Sequence, residues 1–205
     1  MSTHKRDPHD RAGIVAKATE ILDNYGLADL TMRRLARELD VTVGALYWHF
    51  TSKQELLGAV ADELLRPAVD ASAGVDADWR ARMTESSGRL RNALLSRTDG
   101  AELVSAGFAA GASAAVRTIV DRLAAAAAEA GLTGDQPELA ARTVVYYVLG
   151  FTVDEQSRLQ WDAAGALPAE QSVLDPRHDG DAAFGFGLAL LVDGIAVRQT
   201  AEAET

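Results

Sequence analysis

Apolar residues recur along this chain at steps of three and four positions, the spacing that places them on one face of an α-helix. In the first such segment, the apolar face consists of Ile14, Ala18, Ile21, Leu22 and Tyr25. Gly26 follows at the position where helices commonly end. Alternating patterns typical of strands are scarce, so the spacing predicts an all-α chain.

Two shorter helices are predicted next, separated by a tight turn. Thr31 can cap a helix that runs to about Leu39, and Thr42 can cap another that ends near Phe50. Residues 40–41 form the turn between them. These are the proportions of a helix-turn-helix supported by the first helix. Packed helix pairs with short connections are also common in all-α proteins, so spacing alone leaves a purely structural role open.

Longer helices fill the rest of the chain. The capping box Ser52-x-x-Glu55 begins a fourth helix, which Pro67 is expected to end. The later elements are a helix from Trp79 to about Ser96, a connector, an alanine-rich helix from about Ala109 to Ala130, a helix from Pro137 to about Trp161, a linker over 162–181, and a final helix from Ala182 to Arg198. We therefore predict a helix-turn-helix domain over residues 1–53 and a helical C-terminal domain over residues 54–205.

The charge is unevenly distributed. A formal net charge of -10 argues at first against a nucleic-acid partner, because DNA-binding domains usually carry a basic surface. Residues 1–55, however, hold eight basic and eight acidic residues, whereas residues 56–205 hold twelve basic and twenty-two acidic ones. A local positive face can therefore exist on the first quarter of the chain, beside an acidic body.

Composition also bears on the compartment. The chain has no cysteine, which excludes disulfides and cysteine-ligated metals. Residues 1–11 lack the apolar run of a secretory signal. The apolar stretch from Val144 to Val153 is far shorter than the ~20 residues that span a bilayer. We therefore expect a soluble, cytoplasmic protein with no membrane partner.

The strongest functional signal lies in the third helix. Residues 42–50 read Thr-Val-Gly-Ala-Leu-Tyr-Trp-His-Phe and are followed by Lys53. This segment resembles the recognition helix of the tetracycline-repressor family, in which small residues precede Leu-Tyr-x-His-Phe. The resemblance implies a homodimeric repressor that binds a palindromic operator in double-stranded DNA. One departure is Asp40, where the family generally has glycine at a position of positive φ, which aspartate tolerates at modest cost.

The residue types suit contacts with DNA. Val43 and Gly44 are short enough to let the helix approach the major groove, where Val43 can meet a thymine methyl. A glycine inside a helix costs ~1 kcal/mol relative to alanine, so Gly44 indicates close approach either to DNA or to the protein core. Tyr47 and His49 suit phosphate contacts, which position a protein without specifying sequence.

The resemblance also assigns a base-reading role to Arg33, on the preceding helix. Arg34 and Arg37 are expected to be solvated or to face phosphates. Lys53 adds positive charge at the start of the fourth helix. The predicted DNA-contacting residues are Arg33, Thr42, Val43, Gly44, Tyr47, Trp48, His49 and Lys53.

The resemblance extends into the C-terminal domain of the tetracycline-sensing members of the family. The similar segments are Trp79, residues 94–101, Leu149-Gly150 ahead of Gln156, and residues 183–188. By this resemblance, the last two helices form a four-helix bundle with their copies in a second protomer. Gly185, Gly187 and Gly194 would allow close helix approach there. The domain is thus expected to dimerise and to bind a small-molecule effector.

The effector site departs from this likeness. Tetracycline-sensing members hold a drug-bound magnesium through a histidine and, by way of water, an acid; the aligned residues here are Val104 and Asp154. Valine cannot ligate a metal, and Ser86 and Tyr146 replace an asparagine and a histidine. We therefore expect no metal, no other cofactor, and an apolar or aromatic effector other than tetracycline. The predicted effector-binding residues are Ser86, Leu90, Val104, Phe108, Tyr146, Tyr147, Phe151 and Asp154, which could instead be ordinary core residues.

Two other function classes stay open. An all-α enzyme would have to use Asp154, Glu155 or the histidines, but neighbours on a helix do not face each other and no paired Glu-x-x-His pattern is present. We accordingly expect no catalytic residues. A ligand-binding or scaffold dimer with a non-functional helix-turn-helix domain would differ from a repressor in failing to shift its own promoter DNA.

Overall fold

The computed structural model of the chain describes residues 10–71, 77–168 and 179–203. The helices along these residues are α1 Arg11–Tyr25, α2 Met32–Glu38, α3 Val43–His49, α4 Lys53–Asp70, α5 Trp79–Leu95, α6 Gly100–Ala109, α7 Ala114–Glu129, α8 Gln136–Ala163 and α9 Gly180–Ala203. No strand forms within the described ranges. The predicted all-α fold is confirmed: a helix-turn-helix headpiece (α1–α3) precedes a helical body (α5–α9), with α4 between them.

Several helices begin at a short polar residue whose side chain accepts an N–H of the first turn. These capping residues are Asp10, Thr31, Thr42, Ser52, Asp78 and Ser113. At its other end, α1 stops at Gly26, which has a φ of 79°. The starts predicted at Thr31, Thr42 and Ser52 are confirmed, because a capping bond spans only three residues and can be read from the local sequence.

The predicted end of α4 is wrong. The helix continues through Pro67 to Asp70, and the Pro67 carbonyl accepts from the N–H of Ala71 at 3.4 Å. A proline this close to a helix end removes only one backbone hydrogen bond. The additional turn buries Ala68 against the body, and this packing outweighs the missing bond.

The connector predicted after Ser96 contains α6, and the helix predicted from Ala109 begins only at Ala114. Left-handed residues bound α6 on both sides, Asp99 with a φ of 52° and Gly111 with a φ of 63°. Of the linker predicted over 162–181, residues 169–178 lie outside the described part of the chain.

α4 lies at the centre of the fold and contacts α1 on one side and α5, α6 and α7 on the other. Its buried positions are Leu56, Leu57, Gly58, Val60, Ala61, Leu64, Leu65 and Ala68. In the body, α8 packs along α7, and α5 packs against both. Because α4 belongs to both cores, the domain division at residue 53 stays a prediction.

α9 is apolar and largely exposed. Its segment Gly180–Arg198 has a mean hydropathy of 1.6 but is only 22% buried, and length and composition alone would let it cross a membrane. The sequence pattern had predicted no apolar segment of this length. Phe186, Leu190 and Val197 are 69%, 60% and 67% exposed, and a groove of about 440 Å³ separates α9 from α8. Such an apolar face requires cover, and a second protomer, as in the predicted bundle, would supply it.

Candidate nucleic-acid interface and regulatory body

The turn between α2 and α3 has the backbone geometry that the sequence predicts. Asp40 has a φ of 54°, and the N–H of Val41 donates to the Ala36 carbonyl at 3.0 Å. A non-glycine residue in this region costs about 1–2 kcal/mol. The expectation that aspartate replaces glycine at a left-handed position is therefore confirmed.

α3 buries one side chain in the headpiece core, leaves Val43 and Ala45 half-buried, and exposes its other residues. Leu46 is 1% exposed, whereas Trp48 is 91% exposed and Tyr47 is 47% exposed. A methyl group added at Gly44 would meet only the Thr42 hydroxyl oxygen, 3.8 Å away. Internal packing therefore does not explain the glycine, and close approach of an external partner is the remaining reason that the sequence offered.

Arg11 holds the end of α3 in place, a role that sequence reasoning missed. Its guanidinium donates to the His49 carbonyl oxygen, lies 3.0 Å from a Glu55 carboxylate oxygen, and stacks 4.2 Å from the centre of the Phe50 ring. Glu55 also accepts from the N–H and the hydroxyl of Thr51, at 2.7 and 2.8 Å. These donors, first the Thr51 N–H and hydroxyl and then Arg11, hold the pKa of Glu55 below its ordinary value.

The three arginines of α2 have different surroundings. Arg33 is exposed and forms no ion pair with any residue in the described ranges. Arg34 lies 2.5 Å from an Asp29 oxygen and 3.6 Å from the centre of the Tyr25 ring, with its side chain 18% exposed. The expectation that Arg34 is solvated or faces phosphate is therefore wrong, because it is used to pack α2 on α1. Arg37 is 73% exposed and 3.9 Å from Glu38.

The other predicted DNA-contacting residues are exposed or half-buried. Thr42 and His49 are exposed, and Val43 is half-buried against the headpiece core. Lys53 is the first residue of α4 and is half-buried. The eight residues thus lie on α2, α3, the cap of α3 and the start of α4.

The predicted effector residues have different surroundings within a protomer. Leu90 and Val104 are buried in the body core, Ser86 is half-buried, and Asp154 is exposed. Phe108 and Tyr146 pair with ring centres 5.4 Å apart, beside a groove of about 370 Å³ between α6 and α8.

Tyr147 and Phe151 instead belong to a second aromatic cluster on α8. Their ring centres are 5.9 Å apart, and each also packs on Phe184 of α9. The Tyr147 hydroxyl donates to the Phe184 carbonyl at 2.7 Å, and burial raises the pKa of Tyr147. Tyr146 and Tyr147 are adjacent in sequence, so they point to different sides of α8.

A buried arginine, which sequence reasoning also missed, closes this second cluster. Arg91 of α5 donates twice to Glu155, at 2.9 and 2.6 Å, and once to Asp181, at 2.6 Å. Its side chain is 8% exposed, and the hydrogen bonds that it donates to Glu155 and then to Asp181 raise the pKa of the guanidinium. Arg91 therefore ties the start of α9 to α5 and α8.

Asp99, before α6, connects the body to the headpiece. One carboxylate oxygen accepts from the N–H of Leu27 in the α1–α2 turn, and the other from the Gln160 amide of α8, both at 2.8 Å. The Gln156 amide donates to the carbonyls of Leu94 and Arg97, at 3.1 and 2.8 Å. Asp99 thus links α8 to the α1–α2 turn through one hydrogen bond on each side.

An outward-facing recognition helix on a helix-turn-helix, joined to a helical body with an uncovered apolar face, defines a dimeric DNA-binding regulator. Comparison with known proteins agrees. The profile of bacterial regulatory proteins of the tetR family matches residues 14–60, and that of the tetracyclin repressor-like C-terminal domain matches residues 73–176. The chain belongs to the tetR family of transcriptional regulators.

Individual relatives are similar to this chain over nearly its whole length. The tetracycline repressor protein class A from transposon 1721 of Escherichia coli is 32% identical, covering 91% of this chain and 90% of that protein. The crystal structure of Mycobacterium smegmatis BioQ is 60% identical, with a TM-score of 0.83, over 92% of this chain and 98% of that one. A structure of BioQ with its natural double-stranded DNA operator is 56% identical, with a TM-score of 0.78, over 91% and 98%.

Proposed function

We propose that the chain is a ligand-responsive transcriptional repressor that binds a palindromic operator as a homodimer and is released by a small apolar or aromatic effector. The observation that carries this proposal is the outward face of α3, held from behind by Leu46 and Arg11 and open at Gly44. The similar BioQ structure with its operator supports the DNA partner. The protein acts where the DNA lies, in the cytoplasm, and is not an enzyme.

The proposed DNA-contacting residues of the headpiece differ in the part of the DNA that they contact. Arg33 reads a base edge, and Val43 and Gly44 bring α3 into the major groove. Thr42, Tyr47, Trp48, His49 and Lys53 contact the phosphate backbone and set the position of the helix. Residues 1–53 carry this function, and residues 54–205 carry dimerisation and effector binding.

The dimer sets the spacing of the two headpieces. Recognition helices must lie about 34–36 Å apart to enter successive major grooves on one side of the DNA. The exposed apolar faces of α8 and α9 would form the four-helix bundle between protomers, and this bundle fixes the distance. An effector that favours another distance weakens operator binding by linkage, and the operator must weaken effector binding by the same factor.

The effector binds in the body. Phe108 and Tyr146 line the groove between α6 and α8 and offer aromatic walls. Tyr147 and Phe151 add the neighbouring cluster, and Asp154 is an exposed polar group. The remaining proposed effector residues are Ser86, Leu90 and Val104. No metal or cofactor is part of this proposal.

The effector signal reaches the headpiece by two routes. α4 contacts both α1 and the α6–α7 segment that borders the effector groove. Asp99 links α8 directly to the α1–α2 turn. An effector that shifts α6 or α8 therefore moves the recognition helix.

Binding to promoter DNA tests the proposal. A fluorescence-anisotropy titration across a salt series, with duplexes from upstream of its own gene, should reveal a palindromic fragment bound well above competitor DNA. Arg33→Ala and Tyr47→Ala should each abolish specific binding, whereas Arg37→Ala, at another exposed arginine of α2, should weaken it only slightly. Equal binding to every duplex would refute the repressor and favour a ligand-binding dimer with a non-functional headpiece.

The effector is tested separately. Mass spectrometry of the purified protein identifies co-purifying small molecules, and each is titrated with and without operator DNA. An inducer should bind more weakly in the presence of operator, and equal affinities would end the inducer proposal.

A further inference from the structure

A groove of about 640 Å³ lies where the headpiece meets the body. It is lined by α1 of the headpiece, by α4, which contacts both neighbours, and by the start of α7 in the body. This volume falls within the range of about 300–1,000 Å³ that is typical of small-molecule sites. The groove shares no lining residue with the proposed effector groove between α6 and α8, so a ligand bound here would occupy a separate site.

Much of the lining is apolar and consists of short side chains. α1 contributes Ala12, Val15 and Ala16, and α4 contributes Ala59 and Val69. Among the described residues that line the groove, none is aromatic, so no ring is present to stack on a flat ligand or to hold a quaternary ammonium by a cation–π contact. This lining favours a flexible aliphatic chain over an aromatic ligand.

The groove also carries unbalanced negative charge. Both of its arginines are already paired with glutamates, Arg66 with Glu63 at 2.8 Å and Arg11 with Glu55 at 3.0 Å. Two further acids of α4, Asp62 and Asp70, line the groove and form no ion pair with any residue in the described ranges. A ligand that combines an aliphatic chain with a positive charge is therefore complementary to this surface.

Asp62 is held in a fixed position within the groove. It is half-buried, and its Oδ1 accepts from the Ser113 hydroxyl at 2.6 Å and from the N–H of Ala115 at 2.9 Å. Its Oδ2 accepts no hydrogen bond from any described residue, although an ionised carboxylate can accept about four in all. Oδ2 can therefore receive a ligand N–H, and the side chain loses little further rotational freedom when it does so.

We propose that this groove binds a primary alkylammonium ion, which donates to Asp62 Oδ2 while its chain lies along the apolar residues of α1 and α4. A primary ammonium has three N–H donors for this acceptor, whereas a quaternary ammonium has none. Asp70, about 12 Å further along α4, adds a second negative charge at the far end. Because the bound ion contacts α1 and α7 at once, it holds the headpiece against the body.

Isothermal titration calorimetry of the full-length protein tests the site, with hexylammonium chloride as the probe near pH 7, where a primary amine is protonated. One ion per protomer should bind saturably. Hexan-1-ol lacks the charge and hexyltrimethylammonium lacks the N–H donors, so each should bind at least about tenfold more weakly, the loss expected for one hydrogen bond to a charged group. Equal binding of the alcohol and the amine would overturn the proposal.

Protein variants identify the acceptor. Asp62→Asn keeps an oxygen for Ser113 and Ala115 but removes the charge, so it should weaken hexylammonium binding by roughly tenfold to a hundredfold. Ala16→Leu, at an exposed lining residue of α1, fills the groove and should weaken binding without altering any charge. Asp121→Asn is the matched control, because it removes the same charge from an exposed position of α7 outside the groove and should bind the ion unchanged.

Hydrogen exchange locates the bound ion. Hexylammonium should slow amide exchange in α1 and at the start of α7, whereas slowing confined to α6 and α8 would place it in the effector groove and overturn the proposal. Unaltered affinity in both Asp62→Asn and Ala16→Leu, or an equal loss in Asp121→Asn, would trace binding to the net charge of -10 and also overturn it. None of these measurements uses operator DNA, so a failure of the proposed repressor function would leave this inference intact.

Discussion

Substitution of Gly44 by alanine should stabilise the protein and weaken its binding to DNA. The added methyl group points into open space, with only the Thr42 oxygen within 4 Å, at 3.8 Å. Alanine in a helix is about 0.5–1 kcal/mol more favourable than glycine. In a protein of this size, a gain of that order raises Tm by about 1–4 °C.

Operator affinity should change in the opposite direction. A methyl group inserted into a closely packed contact costs about 1–3 kcal/mol. The homodimer carries the change in both headpieces, so even the lower figure gives about 2 kcal/mol, or a Kd about 30-fold higher. Differential scanning calorimetry measures the change in Tm, and fluorescence anisotropy with operator DNA measures the change in Kd.

Gly88→Ala is the matched control. Gly88 lies within α5, and a methyl group added there also meets nothing within 4 Å. This variant should gain stability and bind operator as the original protein does. If Gly44→Ala binds operator with unchanged affinity, α3 does not approach DNA at this residue. A lower Tm for Gly44→Ala would show instead that the fold itself needs the glycine.

Other changes have equally definite outcomes. Asp99→Ala removes the acceptor shared by the headpiece and α8 and should lower the unfolding free energy by about 1–3 kcal/mol in urea titrations. An unchanged value would show that the two hydrogen bonds to Asp99 do not stabilise the fold. Arg91→Met should cost about 3 kcal/mol by leaving Glu155 unpaired in a largely buried site, and adding Glu155→Leu should recover most of it; no recovery would mean that packing by Arg91, not charge, is decisive. Leu190→Asp should give a monomer in analytical ultracentrifugation that no longer binds operator specifically, so an intact dimer would exclude this face. The pKa of Glu55 is lowered in the folded protein, so its contribution to stability is present above its ordinary pKa and is lost as pH falls through the lowered value; Glu55→Gln should flatten that acid branch, and an unaltered pH profile would refute this.

Much of the headpiece could be predicted because its signals are local. A capping threonine and the N–H it accepts are three residues apart, as at Thr31 and Thr42. The left-handed turn at Asp40 and the outward face of α3 were implied by the family resemblance, which is carried by residues close together in sequence. Such features depend on neighbours in sequence, so they can be predicted without knowledge of the tertiary fold.

The features that sequence reasoning missed are contacts between distant segments. In the sequence, Arg34 could not be distinguished from an ordinary exposed helix arginine, whereas in the structure its guanidinium stacks on the Tyr25 ring. The α6 helix lacked a side-chain capping bond, because its cap is the left-handed Asp99. The continuation of α4 past Pro67 depends on burial against the body, which no local pattern records.

The predicted effector residues illustrate the same limit. Apolar periodicity shows that Leu90, Val104, Tyr146 and Tyr147 lie on helices, but it does not show which helices they meet. In the structure Leu90 and Val104 are buried in the core, while Tyr146 and Tyr147 project to different sides of α8.

By itself, the order of residues determined the class of fold and the helix starts at Thr31, Thr42 and Ser52, since each rests on interactions within about one helical turn. The recognition helix was identified by the resemblance of residues 42–50 to the family signature. Only the tertiary structure decided that Gly44 opens to solvent, that Arg11 secures the end of α3, and that Asp99 joins body to headpiece. The physical reason is that each of these features depends on residues far apart along the chain, which come into contact only once the helices have packed.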